Sequence, residues 1–129
     1  MALLKIYALP EKQIEVRSEI ARSIKLIAAA ALNVPTAPTT PGGIETVLIE
    51  GLDLVGIDYI IEIIAVKRPD QQTIANNFIS GLNQVYPNKS FSVYFNNINE
   101  QGMANTERNK VSDEPISMGD AIARSRDEI

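Results

Sequence analysis

The sequence contains neither cysteine nor histidine. The first absence excludes disulfides, thiol nucleophiles and Cys-ligated metals, and the second removes the commonest general base and metal ligand. Any catalysis must therefore use carboxylates, Lys, Arg, Tyr, Ser or Thr, or the amino terminus. No spacing among the carboxylates suggests a metal cage or a glycosidase pair. We expect no metal and no cofactor.

Clustered positive charge is also lacking. The formal net charge is −4 at pH 7 and no basic stripe stands out, which argues against a nucleic-acid partner because phosphate binding needs a positive footprint. No apolar run approaches the length of a membrane span, and residues 1–9 lack the features of a signal peptide. We expect a cytoplasmic protein that does not bind membranes.

What the sequence does contain is a duplicated pattern. Apolar strands at 2–8 and 59–66 each lead through a proline into a helical pattern, followed by second strands at 44–50 and 91–96. Two β-α-β units of this kind predict an α+β fold, with a four-stranded sheet, two helices on one face and a pseudo-twofold arrangement. Because the strand at 59–66 is almost wholly apolar, we expect both its faces to be covered.

The duplicated pattern accounts for only part of the chain. We assign residues 1–102 to one domain and residues 103–129 to a C-terminal extension with a short helix. The apolar residues Ile116, Ala121 and Ile122 of this extension predict that it docks on a neighbouring subunit rather than fraying.

Three short motifs resemble a known family. The tract Val-Tyr-Phe-Asn-Asn at 93–97 is followed by Gly-Met-Ala-Asn at 102–105, and Leu9-Pro10 leads from the first strand into the first helix. Together with the duplicated plan, these motifs resemble the tautomerase superfamily and, within it, the macrophage migration inhibitory factor branch. The resemblance covers roughly residues 2–105.

The resemblance implies a homotrimer that acts on a small keto acid, with active sites between subunits and an N-terminal amine as base. Here Ala2 stands where the family has proline, and its amine is free only when Met1 is removed. An α-amine titrates near pH 8 and desolvation lowers its pKa, so it suits keto–enol chemistry without histidine. The family's lysine after the first helix is missing, since residues 33–35 read Asn-Val-Pro.

Four further residues are candidates for substrate binding. The resemblance implies that Tyr94 and Asn96 reach a neighbouring subunit's site, although packing of an interface tyrosine and a sheet-edge asparagine is the favoured interpretation. Lys67 and Arg68 precede the second helix, where backbone N–H groups and the helix dipole favour an anion such as a substrate carboxylate. The alternative, which we favour, is a solvated pair of charges at a strand end.

One ion pair and three functions remain as hypotheses. Glu62 lies in the most apolar strand, and we expect it to pair with Lys5 across the sheet. The chain could be a tautomerase, a non-catalytic tautomerase-fold interaction protein, or a ferredoxin-like ligand-binding domain, because the last fold has the same order of elements. Strand order and the state of the N-terminus separate these three.

Overall fold

A four-stranded sheet forms one layer of the computed structural model, which describes residues 2–51, 56–98 and 114–127, and side chains for all of these except Arg17, Ser18 and Asp127. The strands are β1 (Ala2–Ala8), β2 (Ile44–Glu50), β3 (Tyr59–Val66) and β4 (Phe91–Ile98). Their order in the sheet is β2-β1-β3-β4.

The pairing of the strands confirms the predicted duplication. β1 pairs parallel with β2, and β3 pairs parallel with β4, while β1 and β3 are antiparallel at the centre of the sheet. Each β-α-β unit therefore keeps its two strands side by side. A ferredoxin-like sheet places another strand between them, so that alternative is wrong.

The first helix changes its winding along its length. It begins as a 3-10 turn at Pro10–Lys12, where proline suits the first turn, and continues through a short α-helical turn at Gln13–Glu15. A π-helical turn at Val16–Ile20 follows, and α1 (Ala21–Leu32) completes the helix. The apolar stripe predicted a regular α-helix, and it does not reveal the wider π turn. The second unit contributes α2 (Gln71–Val85).

The core lies between the sheet and these helices. Along β1, buried residues alternate with half-buried ones, as the period of two predicts. The largest fully buried side chains come from both β-α-β units: Tyr59, Phe78, Leu4, Ile6, Ile20, Ile24, Ile27, Leu32, Ile44, Ile61, Ile63 and Leu82. No helix in the described part of the chain has the length and apolar composition needed to cross a bilayer.

The opposite side of the sheet, which we call the open face, remains partly exposed. Ile60, Ile64 and Val66 of β3 are only half-buried there, whereas the residues between them are buried, including Glu62. The expectation that both faces of this strand are covered is therefore wrong for the single chain. The remaining open-face side chains from the other strands are Leu3, Lys5, Tyr7, Glu45, Val47, Ile49, Ser92, Tyr94, Asn96 and Ile98.

A third helix, α3 (Met118–Asp127), packs on α1 and α2 of its own chain, whereas the sequence analysis expected a neighbouring subunit. Ile116, Ala121 and Ile122 are buried in this contact. The helices approach closely at Gly81, where a Cβ atom would lie 2.8 Å from Ile27 Cγ2 and 2.9 Å from Met118 Sδ. The apolar residues predicted to dock thus find their partner within the chain.

The domain division at residue 102 lies outside the described residues and stays a prediction.

A polar network joins the first helix to the beginnings of β3 and β4. Lys89 forms an ion pair with Glu15, and its ammonium nitrogen lies 5.9 Å from the centre of the Tyr59 ring. The Tyr59 hydroxyl donates to Glu15 Oε2 at 3.3 Å. The hydrogen bond from Lys89 lowers the pKa of Glu15, while burial raises the pKa of Tyr59.

Replacing Glu15 by Gln should lower the free energy of unfolding at pH 7 by at most about 1 kcal/mol, because the Glu15 side chain is 40% exposed. A pKa that is lowered in the folded state stabilises the protein above the unfolded value of about 4.3, and this stabilisation is lost as the pH falls through the folded pKa. The difference between wild type and Glu15→Gln in urea unfolding should therefore shrink at pH 3. Glu11→Gln, at an exposed position, is the matched control. A difference that stays the same at both pH values would contradict the assignment.

Candidate functional site

Polar side chains from three strands meet on the open face around Glu62. Its carboxylate accepts hydrogen bonds from the Tyr7 hydroxyl at 3.1 Å and from Asn96 Nδ2 at 3.0 Å, and Lys5 Nζ lies 4.0 Å from Oε1. The predicted pairing of Lys5 with Glu62 is confirmed. The strand register explains it, because Lys5 lies directly opposite Glu62, and Glu62 directly opposite Tyr94. We call Lys5, Tyr7, Glu62, Tyr94 and Asn96 the Glu62 cluster.

The Glu62 cluster compensates a buried negative charge. Glu62 is only 8% exposed, and a carboxylate at such a position requires hydrogen-bond donors or a cation. Each carboxylate oxygen has a donor, and Lys5 supplies the opposite charge. Burial, together with the hydrogen bond to Glu62, raises the pKa of Tyr7 to about 12. At neutral pH Tyr7 is therefore a protonated donor.

Tyr94 and Asn96 share the open face, as the sequence predicts, but their surroundings differ. The amide of Asn96 is held by Glu62. Tyr94 has 44% of its surface exposed and interacts with Tyr7. Their assignment to substrate binding stays a prediction.

Ala2 lies in the middle of the sheet, at the start of β1. It is fully buried and pairs with Ile44 of β2 and Ala65 of β3. β3 runs antiparallel to β1 and extends past its first residue, because Ala65 lies opposite Ala2 and Val66 follows. Lys67 and Arg68 therefore lie at the end of the sheet where β1 begins. The structure therefore brings the candidate amine and the candidate anion-binding residues to one end of the two central strands, whereas Tyr94 lies opposite Glu62, three positions from Ala65 along β3.

Lys67 and Arg68 are neighbours in sequence with opposite environments. Lys67 is exposed, whereas Arg68 is only 3% exposed. The Arg68 side chain donates to the carbonyl oxygens of Leu32 and Val66 and to Thr39 Oγ1, each at 2.8 Å. The interpretation of a solvated pair is wrong for Arg68. Its assignment to carboxylate binding stays a prediction.

The sequence analysis missed Tyr7 and Thr39. Tyr7 lies two residues from Lys5 on the same strand face, so the alternation in β1 could have placed it beside Glu62. Thr39 lies in a loop rich in proline, at residues 34–43, where no periodicity indicates which side chain turns inward.

A groove of about 650 Å³ lies on the helical side of the molecule, lined by the end of α1, the length of α2 and Met118. Its polar lining includes Asn33, Thr73, Asn77 and Gln84, and Asp70 is its charged residue. A negative charge disfavours a carboxylate ligand there.

Among residues 2–51, 56–98 and 114–127, no cluster of three acidic side chains could hold a metal ion.

The combined variant Lys5→Met and Glu62→Gln tests the ion pair at the centre of the cluster. We expect a coupling of about 0.5–1 kcal/mol in the free energy of unfolding, because the pair is partly buried and Glu62 is held in place by hydrogen bonds from Tyr7 and Asn96. Urea unfolding of both single variants and the double variant measures it. Lys5→Met combined with Glu50→Gln, at the exposed end of β2, should be additive. Additivity in the Lys5–Glu62 pair as well would show that the two charges do not interact.

Comparison with known proteins shows the fold. No protein-family model matches the sequence, and no curated protein sequence matches it. The structure of N1, a member of the cis-3-chloroacrylic acid dehalogenase family, aligns with a TM-score of 0.55 at 19% identity over 88% of this chain and 85% of that one. Malonate semialdehyde decarboxylase aligns with a TM-score of 0.52 at 11% identity over 81% and 91%. The expected resemblance to the tautomerase superfamily is thus confirmed in the fold, and the chain is a tautomerase-fold protein.

Proposed function

We propose that the chain acts as a keto–enol tautomerase on a small keto acid, with the α-amine of Ala2 as the base after removal of Met1. The observation that carries this proposal is the burial of Ala2 at the start of the central strand, between β2 and β3. An amine at this position loses hydration, which lowers its pKa below the usual value of about 8. A neutral amine can accept the proton from the carbon next to a ketone and then donate it to the oxygen of the resulting enolate, which gives the enol.

Lys67 supplies the positive charge for the substrate carboxylate. It is exposed and follows β3 at the end of the sheet where β1 starts. Arg68 is less suited to this role, because its guanidinium is buried and hydrogen-bonded to Leu32, Val66 and Thr39. The names of the two similar structures, malonate semialdehyde decarboxylase and the chloroacrylic acid dehalogenase family, also point to small carboxylic acids.

We further propose that the open face packs against other copies of the chain in a homotrimer. Apolar side chains surround the Glu62 cluster on this face and are only partly buried in the single chain: Leu3, Val47, Ile49, Ile60 and Ile64. The charges at its centre compensate each other, because Lys5 pairs with Glu62. A second copy could therefore cover the centre of the face without leaving an unpaired charge buried there.

A specific observation also favours the non-catalytic alternative. The side chains of Asn96 and Arg68, both candidates for substrate binding, form hydrogen bonds within the chain. A tautomerase-fold protein whose polar groups are used in this way could serve as a structural or interaction module. Activity measured on a chain of known N-terminal state distinguishes the two.

Protein whose intact mass shows that Met1 is absent should enolise phenylpyruvate, and cyanate at neutral pH should abolish this activity. Cyanate carbamylates the neutral form of an amine, so it prefers a low-pKa α-amine over lysine side chains. Lys67→Met should remain sensitive to cyanate while its KM rises roughly tenfold, because it loses a charge-assisted contact. Absence of enolisation by chains that lack Met1 would support the non-catalytic alternative.

Light scattering should show a trimer, and Val47→Gln should raise its dissociation constant roughly tenfold or more through lost apolar burial. Val47 is an open-face side chain that is 44% exposed in the single chain. Ile14→Gln is the matched control and should leave the trimer intact, since Ile14 lies on the first helix and is 77% exposed. A monomeric wild type would contradict the proposed assembly.

A further inference from the structure

Arg68 joins the end of β3, the strand that precedes it, to the segment from Leu32 to Thr39, which lies 29 to 36 residues earlier in the sequence. Its Nε donates to the carbonyl oxygen of Leu32, Nη1 to that of Val66, and Nη2 to the hydroxyl of Thr39, each at 2.8 Å. These acceptors belong to the last residue of α1, the last residue of β3 and the loop at 34–43. One buried guanidinium therefore holds the ends of two elements and a loop in a fixed relation.

The chemistry of the acceptors suits arginine. The carbonyl of Leu32 lies at the C-terminus of α1, where the helix dipole favours a positive charge. A planar guanidinium presents donors in several fixed directions, whereas the lysine ammonium is a compact point charge on a flexible stem. Lysine at position 68 could not reproduce the same three hydrogen bonds.

Thr39 is the contact through which Arg68 fixes the loop. It is only 4% exposed, its backbone N–H donates to Asn33 Oδ1 at 3.0 Å, and its hydroxyl lies within hydrogen-bond distance of the Ala37 carbonyl at 3.0 Å. The same hydroxyl oxygen accepts from Arg68. The loop is thereby held against the end of α1.

The loop and the end of β3 both lead to Ala2. The loop passes through a 3-10 turn at Pro41–Gly43 into Ile44, which pairs with Ala2 on one side. On the other side Ala2 pairs with Ala65, next to Val66, whose carbonyl Arg68 holds. Arg68 thus contacts the segments that approach Ala2 from both neighbouring strands.

We propose that Arg68 is a positioning residue that fixes the backbone around Ala2, rather than a ligand of the substrate carboxylate. This inference rests on the proposed function for its effect on catalysis, while the fixing of the loop can be measured independently. Arg68 acts through the loop and the end of β3, and Lys67 beside it contacts the substrate.

The test compares Arg68→Lys and Thr39→Val with wild type. In both variants the amides of Ala37 and Thr39, which are hydrogen-bonded within the loop region, should exchange with solvent about five- to tenfold faster, because the loop loses a buried hydrogen bond. The amide of Tyr86, bonded to Leu82 far from the loop, should be unchanged. Arg124→Lys, the same substitution at an exposed site on α3, should behave as wild type.

Kinetics separate positioning from binding and from a purely structural role. For phenylpyruvate, Arg68→Lys and Thr39→Val should each lower kcat roughly ten- to hundredfold and leave KM within about twofold of wild type. A small displacement of the reacting group slows the chemical step more than it weakens binding. A raised KM for Arg68→Lys with normal loop exchange would identify Arg68 as a substrate ligand. Lower thermal stability with unchanged kcat per folded molecule would show a structural role only.

The two proposals can fail separately. A wild-type protein that lacks Met1 and does not enolise phenylpyruvate overturns the tautomerase function, while faster exchange at Ala37 and Thr39 would still show that Arg68 holds the loop. Unchanged exchange in both variants overturns the role of Arg68 whether or not the protein is active.

Discussion

The antiparallel pairing of β1 with β3 is the constraint on which the rest of the structure depends. It joins the two β-α-β units, and its register sets Lys5 opposite Glu62 and Ala2 opposite Ala65. Side chains in a strand alternate between faces, so a slip of one residue would turn Glu62 into the apolar core and expose its neighbours. The hydrophobic face and the ion pair therefore favour the same register. The polar cluster on the open face and the position of the candidate amine follow from it.

The sequence was sufficient for the fold wherever a short-range pattern decides the structure. The bounds of β1, β2 and β3 were predicted to the residue, because apolar alternation or β-branched runs end at prolines, glycines and charged residues. The π turn at Val16–Ile20 was not predictable in this way, since apolar residues spaced three and four apart fit either kind of helical winding. The surface on which α3 packs was also not predictable. Its apolar residues required burial, but nothing in them distinguishes the chain's own helices from a neighbour's.

The candidate site shows the same division between local and long-range information. Lys5 and Glu62 could be paired from the sequence, because both are charged residues within apolar strands. That Asn96 joins them depends on the register between β3 and β4, which no single strand encodes. The contrast between Lys67 and Arg68 arises beyond the end of β3, where the two side chains leave the strand in different directions. Only the folded chain brings the carbonyl of Leu32 to one of them.

The buried charged side chains are engaged in contacts within the chain, whereas the start of β1 has a different character. Glu62 pairs with Lys5 and accepts hydrogen bonds from Tyr7 and Asn96, so its carboxylate has an internal structural role. Arg68 is committed to backbone carbonyls in a similar way. Beside the start of β1, by contrast, a buried backbone position lies near an exposed lysine. The proposed tautomerase function requires this combination, because the amine must be neutral to accept a proton while a cation holds the substrate carboxylate.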